Sequence, residues 1–122
     1  MPNAFSRVAA AYAVCGHLIT VVDLLSARNP NHIRFRLTFV DDSRLHVSEE
    51  WQRETLGAYS YYWLDADDAL IQGWDNAPHH PHLANYPHHT HVGDPPERQP
   101  SHATTLEEVL AIIQPRLGNA NA

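Results

Sequence analysis

The clearest pattern in the chain is an alternation of apolar and polar residues over residues 33–40. Its apolar positions are Ile33, Phe35, Leu37 and Phe39, and its polar positions include Arg34, Arg36 and Thr38. A period of two places these two sets on opposite faces of a β-strand. The run at residues 44–51 alternates in the same way, with Leu45, Val47 and Trp51 on its apolar face. Together the two runs predict a β-hairpin with one apolar and one polar face.

Matching the apolar faces fixes an expected register for this hairpin. With residues 41–43 as the connection, Phe39 lies opposite Leu45 and Leu37 lies opposite Val47. The predicted pairs on the polar face are then Thr38 with His46, Arg36 with Ser48, and Arg34 with Glu50.

Further elements follow from similar patterns. A second hairpin, rich in aromatic residues, is predicted from residues 58–64 across 65–68 to residues 69–75. Residues 18–27 include the β-branched run Ile19–Val22 and predict another strand, although a single helix over residues 4–27 is an alternative. The alanine-rich residues 4–16 favour a helix that ends at Gly16.

The C-terminal segment has the features of an amphipathic helix packed on the sheet. Thr104 or Thr105 would cap it, and acidic residues follow in its first turn. Its apolar stripe consists of Leu106, Val109, Leu110 and Ile113.

These elements predict a single domain of 122 residues in the α+β class. Its expected parts are an N-terminal helix at 4–16, a sheet at 18–76, a histidine- and proline-rich loop at 77–103 and a C-terminal helix at 104–117. We expect the sheet to be an antiparallel β-meander of four or five strands.

Charge and composition narrow the function. The formal charge of −6 argues against a protein that coats nucleic acid. All eight basic residues are arginine, however, and five of them lie between residues 28 and 53, so a local basic patch is compatible with the sequence.

The single cysteine, Cys15, excludes an internal disulfide and a cysteine zinc site, and we expect it to be a buried thiol. No apolar run reaches the ~18 residues of a membrane span, so we expect a cytoplasmic protein.

Six of the ten histidines fall within residues 76–91, as two copies of H-H-x-H that begin at His79 and His88. Prolines at 78, 81 and 87 exclude a helix there and predict a stiff, extended loop. We expect Pro81 and Pro87 to bracket a turn that brings the two copies together.

One hypothesis for these histidines is cleavage of RNA without a metal ion. That reaction needs a base for the 2′-hydroxyl, an acid for the leaving 5′-oxygen and cations around the phosphate. The candidate catalytic residues are His79, His80, His88, His89 and His91. The candidate substrate-binding residues are Arg36 to clamp phosphate, Tyr61 to stack on a base, His46 and Asn76.

Two other hypotheses stay open. Histidines from both copies could build a zinc or nickel site, for which the candidate ligands are His80, His82, His89, His91 and Asp75, although no cofactor is the primary expectation. The loop could instead act as a binding module without catalysis. For any single histidine of this group, the alternative is a hydrogen bond to the loop backbone with no further role. For Trp63, Trp74 and Tyr62, packing in the core is the default expectation.

The chain resembles the TumE-type toxins of bacterial and archaeal toxin–antitoxin modules over about residues 18–115. The matching residues are Arg34, Arg36, V-D-D-S-R-L at 40–45, Y-S-Y-Y at 59–62, W-D-N-A-P-H-H-P-H-L-A-N-Y-P-H-H-T-H-V-G at 74–93 and the terminal T-L-E-E-V-L. Family members more often carry glycine at the position of Asp42. The resemblance implies the toxin of a type II toxin–antitoxin system, encoded beside an antitoxin that usually carries a helix-turn-helix. RNA is the expected substrate under the histidine-based cleavage hypothesis, no membrane association is expected, and a homodimer is an open alternative.

Overall fold

The computed structural model describes residues 1–77, 87–93 and 97–118. Its strands are β1 (Ile19–Leu24), β2 (His32–Phe39), β3 (Arg44–Gln52), β4 (Thr55–Leu64), β5 (Leu70–Asp75), β6 (His89–Val92) and β7 (Glu97–Pro100). Its helices are α1 (Ala4–Cys15) and α2 (Leu106–Gly118), and a 3₁₀ turn, Gly16–Leu18, joins α1 to β1. All strand pairs are antiparallel, and the strands lie in sequence order across one sheet. The α+β class and the β-meander are therefore confirmed.

The number of strands is higher than predicted, because β6 and β7 lie within residues 77–103, which were predicted to be loop. Each has only four residues, and their composition of histidine, arginine and proline is unlike that of a typical strand. Pro100 lacks a backbone N–H, but it ends the edge strand, where only one side needs a partner. Tertiary pairing with β5, rather than local propensity, therefore makes β6 a strand.

The helices cover one face of the sheet. The core consists of alternate strand residues, among them Phe35, Leu37, Val47, Tyr61, Trp63 and Trp74, packed with Leu106, Val109, Leu110 and Ile113 of α2. Within the described residues, no helix packs on the opposite face, which we call the open face. Core packing is thus confirmed for Trp63, Trp74 and the apolar stripe of α2, and Cys15 is buried in the same core.

The first hairpin has the predicted faces but a register that differs by two residues. Leu37 pairs with Leu45, and Arg36 pairs with His46 rather than with Ser48. The reason is a compact turn, in which Phe39 N–H donates to Ser43 O (2.9 Å) and Asp42 N–H donates to Phe39 O (3.0 Å). Asp42 has φ 66°, the left-handed conformation that completes a three-residue loop and that glycine adopts most easily.

The same register leaves Arg34 without its predicted partner, Glu50, which pairs with His32 instead. The Arg34 guanidinium donates to Ser26 O over 2.8 Å.

Both helix starts use side-chain caps. Asn3 and Ser6 form a capping box at α1, and Thr105 Oγ1 accepts from Glu108 N–H (3.2 Å) at α2. Residues 19–24 form strand β1, so the alternative of one helix over residues 4–27 is excluded. None of the helices in the described part of the chain is long and apolar enough to cross a membrane.

Candidate functional site

The sheet register brings four chemistry-bearing side chains together on the open face. Tyr62 pairs with Gly73, which pairs with His91, and Asp75 pairs with His89 in the adjacent row. These residues come from three neighbouring strands, β4, β5 and β6. We call Tyr62, Asp75, His89 and His91 the Asp75 cluster.

The Asp75 carboxylate is the hub of this cluster. His89 Nε2 lies 2.8 Å from Oδ1, and His91 Nε2 lies 2.8 Å from Oδ2. The hydroxyl of Tyr62 donates to Oδ2 over 2.6 Å, and Ala77 N–H donates to Oδ1 over 3.0 Å. Asp75 is only 5% exposed, so these contacts replace most of the hydration that its charge loses on burial.

The contacts also set the ionisation of the two acidic groups. Burial by itself would raise the pKa of Asp75, but the hydrogen bonds from Tyr62, Ala77 and His91 and the charge of His89 together lower that pKa below its ordinary value. Burial first, and then the hydrogen bond to Asp75 and its charge, raise the pKa of Tyr62. At neutral pH Asp75 is therefore a carboxylate and Tyr62 a proton donor to it.

The two histidines differ in the hydrogen bonds available to their second ring nitrogen. His89 Nδ1 lies 3.0 Å from Pro87 O, so both of its nitrogens face oxygen acceptors. These two contacts are both hydrogen bonds only when both nitrogens carry a proton. His91 donates to Asp75 through Nε2, and no described residue forms a hydrogen bond with its Nδ1. His91 Nδ1 is therefore the nitrogen that can accept a proton.

Gly73 makes room for the Tyr62 ring. A Cβ atom at position 73 would lie 2.4 and 2.5 Å from two ring carbons of Tyr62, well inside van der Waals contact. The ring therefore lies flat across the β5 backbone, which brings its hydroxyl to Asp75. Glycine at this position is needed for space.

A cleft of about 500 Å³ borders the cluster on the open face. It is lined by Ser60, Tyr62, Asp75, Ala77, His89, His91 and Arg98, among others. Arg98 lies on β7 directly opposite His91 in the register and supplies a positive charge at the rim. The cluster is thus buried on the protein side and accessible from this cleft.

Arg36 and His46 lie in the same cross-strand row as Tyr62 and His91. The register runs Arg36, His46, Tyr62, Gly73, His91 and Arg98 across six strands. Arg36 is half-buried and pairs with Asp23 over 3.0 Å. Burial and the charges of Arg36 and Arg44 lower the pKa of His46, so it is neutral near pH 7.

The structure separates some of the predicted site residues. His88 lies next to His89 but is turned to the helix-covered side, where its Nδ1 is 2.8 Å from the Tyr59 hydroxyl and the two rings stack. His79, His80 and His82 lie outside the described residues. The prediction that the two H-H-x-H copies meet involves these three residues, so it also falls outside the described part of the chain.

The structure corrects one substrate-binding assignment, that of Tyr61, and gives Asn76 a structural contact. Tyr61 is 0% exposed on the helix-covered face, where its hydroxyl donates to Glu49 (2.6 Å), so it cannot stack on a base. Asn76 uses both ends of its amide on the β4 backbone, accepting from Tyr59 N–H and donating to Gly57 O, each over 2.9 Å. It holds the end of β5 to β4.

Tyr62 was expected in the core and is instead part of the Asp75 cluster. The two-residue period of a strand could have placed it, because Tyr62 lies between the buried Tyr61 and Trp63 and so faces the opposite side of the sheet. Arg98 was also missed, because its segment was predicted to be loop.

Comparison with known proteins gives one family match. No curated protein and no solved structure is significantly similar to the chain. The family model described as "Toxin TumE" matches residues 13–117, which span the whole sheet and nearly all of α2. The chain therefore belongs to the TumE toxin family.

Proposed function

We propose that this toxin cleaves RNA without a metal ion and uses the Asp75 cluster as its acid–base centre. The observation that carries the proposal is the pair of buried histidines that share one carboxylate beside a solvent-accessible cleft. A toxin of a type II module that cuts RNA would arrest growth of its host. Its antitoxin, which we propose carries a helix-turn-helix, would prevent this.

In the proposed reaction His91 is the general base. Its Nδ1, which forms no hydrogen bond with a described residue, takes the proton of a ribose 2′-hydroxyl, and the 2′-oxygen then attacks the adjacent phosphorus. Asp75 accepts from His91 Nε2–H, which fixes the ring orientation and stabilises the imidazolium that forms.

When the 2′-oxygen attacks, the 5′-oxygen of the next nucleotide leaves the phosphorus, and this leaving oxygen needs a proton. His89 is our candidate acid, because its ring centroid lies 4.8 Å from that of His91 and both of its ring nitrogens face oxygen atoms, so that each can carry a proton. Bond cleavage then leaves a 2′,3′-cyclic phosphate on one fragment and a 5′-hydroxyl on the other. The proton that His91 gains and the proton that His89 gives up balance.

The open face provides the substrate path. Arg36 and Arg98 lie in the row that contains Tyr62 and His91, on either side of the cluster. Single-stranded RNA along this row would meet a guanidinium on each side of the acid–base pair, although the whole chain carries a net negative charge.

Single-turnover cleavage of a fluorescent single-stranded RNA by the purified, tag-free chain tests the proposal. We expect fragments that end in a 2′,3′-cyclic phosphate and a rate that a chelator does not change. His91→Gln and His89→Gln should each lower the rate by roughly 10²–10⁴-fold, the usual contribution of a proton-transfer group. His17→Gln, a histidine outside the cluster, is the matched control.

Two results would contradict the proposal. One is wild-type cleavage by folded His91→Gln. The other is tight RNA binding with no cleavage by the wild-type chain, which would favour a binding module.

A further inference from the structure

We propose that the Asp75 cluster is also a binding site for one divalent transition-metal ion, with Zn²⁺ as the best fit, and that the bound ion inhibits the toxin. The binding site stands on geometry alone. The inhibition rests on the proposed function, because it requires that His89 and His91 move protons.

The donor atoms are already close together. Asp75, His89 and His91 are all buried, and their ligand atoms lie within 4.8 Å of one another. Metal–ligand distances of about 2.0–2.2 Å in a tetrahedron place the donor atoms about 3.3 Å apart. The two hydrogen-bonded pairs, now 2.8 Å apart, would open by about half an ångström, and the widest pair of donor atoms, up to 4.8 Å apart, would close by about 1.5 Å to seat the ion.

The surrounding contacts are those that orient metal ligands. A metal-binding histidine donates its other ring N–H to a carbonyl or carboxylate, which leaves the coordinating nitrogen unprotonated. His89 has this contact, from Nδ1 to Pro87 O over 3.0 Å. The ligating carboxylate is usually held as well, and Asp75 receives bonds from Tyr62 and Ala77.

The charge distribution favours a cation at the centre. The Nε2 atoms of His89 and His91 converge on one carboxylate, so each Nε2 either carries a proton that it donates to Asp75 or turns its lone pair toward a cation between them. Protons fill this position in the free protein. A metal ion fills it with one charge centre and completes its coordination from the cleft side, since a His₂Asp set leaves a fourth position open.

A metal at this position changes the chemistry of the site. Coordination occupies Nε2 of both histidines and displaces the protons there. His91 then no longer has Asp75 to stabilise its imidazolium form, and His89 no longer carries a second proton to give. Zn²⁺ would therefore stop metal-free cleavage while leaving the fold in place.

Titration calorimetry of the tag-free full chain with zinc chloride tests the binding. We expect one tight site that weakens at least 100-fold in the His89→Gln/His91→Gln double variant. Tyr62→Phe should weaken it by about 10-fold, the lower end for losing a group that orients a ligand. His17→Gln should leave it unchanged.

The loop histidines provide a second comparison. The triple variant His79→Ala/His80→Ala/His82→Ala should keep the tight site. If instead the triple variant loses it and the His89→Gln/His91→Gln variant keeps it, the site proposed here is wrong. Co²⁺ gives an independent readout, because its visible absorption reports the coordination geometry. A spectrum typical of the free aqueous ion would overturn the proposal.

Cleavage assays with saturating Zn²⁺ separate this proposal from the function. Cleavage in metal-free buffer that Zn²⁺ abolishes supports both. Tight Zn²⁺ binding by a chain that cuts no RNA keeps the metal site and removes the ribonuclease. Cleavage that needs Zn²⁺ overturns the inhibitory role, and cleavage unchanged by Zn²⁺ with no tight site overturns the metal proposal alone.

Discussion

Two buried carboxylates lie on opposite faces of the same sheet and have different partners. Glu49, 0% exposed on the helix-covered face, accepts from Arg7 Nε (2.8 Å), Tyr61 (2.6 Å) and Trp51 (3.2 Å). Asp75, on the open face, binds Tyr62, the residue next to Tyr61, and two histidines. Each carboxylate thus receives a tyrosine hydroxyl from β4, but only Glu49 has a permanently charged cation.

The difference shows what each site is suited to do. Glu49 and Glu107 raise the pKa of Arg7 although burial alone would lower it, so the Arg7 charge is fixed at every physiological pH. This network joins α1, the sheet and α2. Histidine exchanges protons near neutral pH, and the Asp75 cluster borders a cleft. One carboxylate holds the fold together, and the other is placed for chemistry.

Substituting the two carboxylates should separate stability from activity. Glu49→Gln removes the buried partner of Arg7 and should lower the free energy of unfolding by about 3–5 kcal/mol. Asp75→Asn retains an acceptor for Tyr62 and should cost about 1–3 kcal/mol. Urea denaturation of both variants measures this, and equal losses would contradict the division of roles.

The pH dependence of stability sharpens the same comparison. Because the folded-state pKa of Asp75 lies below its ordinary value, ionised Asp75 contributes stability that is complete above about pH 5 and is lost as the pH falls through the folded-state pKa, below ~4. The stability gap between wild type and Asp75→Asn should therefore narrow between pH 5 and pH 3. A gap that widens toward pH 3 would contradict the charge assigned to Asp75.

Gly73 allows a test of Tyr62 without touching a polar group. In Gly73→Ala the new methyl group would overlap the Tyr62 ring, which must move away from Asp75. We expect RNA cleavage to fall about 10-fold, as for loss of one orienting hydrogen bond. Gly57→Ala, on β4, is the control, because its Cβ would meet only Glu50 O at 3.4 Å. Equal rates for the two variants would show that the Tyr62 position is unimportant.

The smallest expected effect concerns RNA binding by the open face. Arg36→Ala should weaken binding to single-stranded RNA and reduce the salt dependence of log K by about 0.7, the value for one lost phosphate contact. Arg116→Ala is the control, because Arg116 lies over Trp63 on the helix-covered face, away from the proposed substrate path. Fluorescence anisotropy at several salt concentrations measures both slopes. An equal slope for Arg36→Ala and wild type would remove Arg36 from the substrate path.

Local patterns predicted much of the fold, because hydrophobic alternation reflects which face of a strand is buried. Strand β2 and the apolar stripe of α2 were found in this way. The register of the first hairpin was wrong because it depends on the left-handed backbone of Asp42, a conformation that glycine adopts most easily and that aspartate also visits.

The site was only partly predictable. Asp75, His89 and His91 were among the candidates, but their contacts depend on the pairing of β5 with β6, which no local pattern revealed. The choice of Tyr61 over Tyr62 failed for a simpler reason. Adjacent strand residues face opposite sides, and the aromatic residues of β4 did not show which side the helices cover.

Expression of Asp75→Asn without an antitoxin tests the central claim most directly. The wild-type chain should arrest growth of a bacterial host with loss of intact RNA. Asp75→Asn should accumulate as folded protein, allow growth and, when purified, cleave RNA roughly 10²–10⁴-fold more slowly. Growth arrest and RNA loss at wild-type levels by folded Asp75→Asn would show that the Asp75 cluster is not the toxin's functional site.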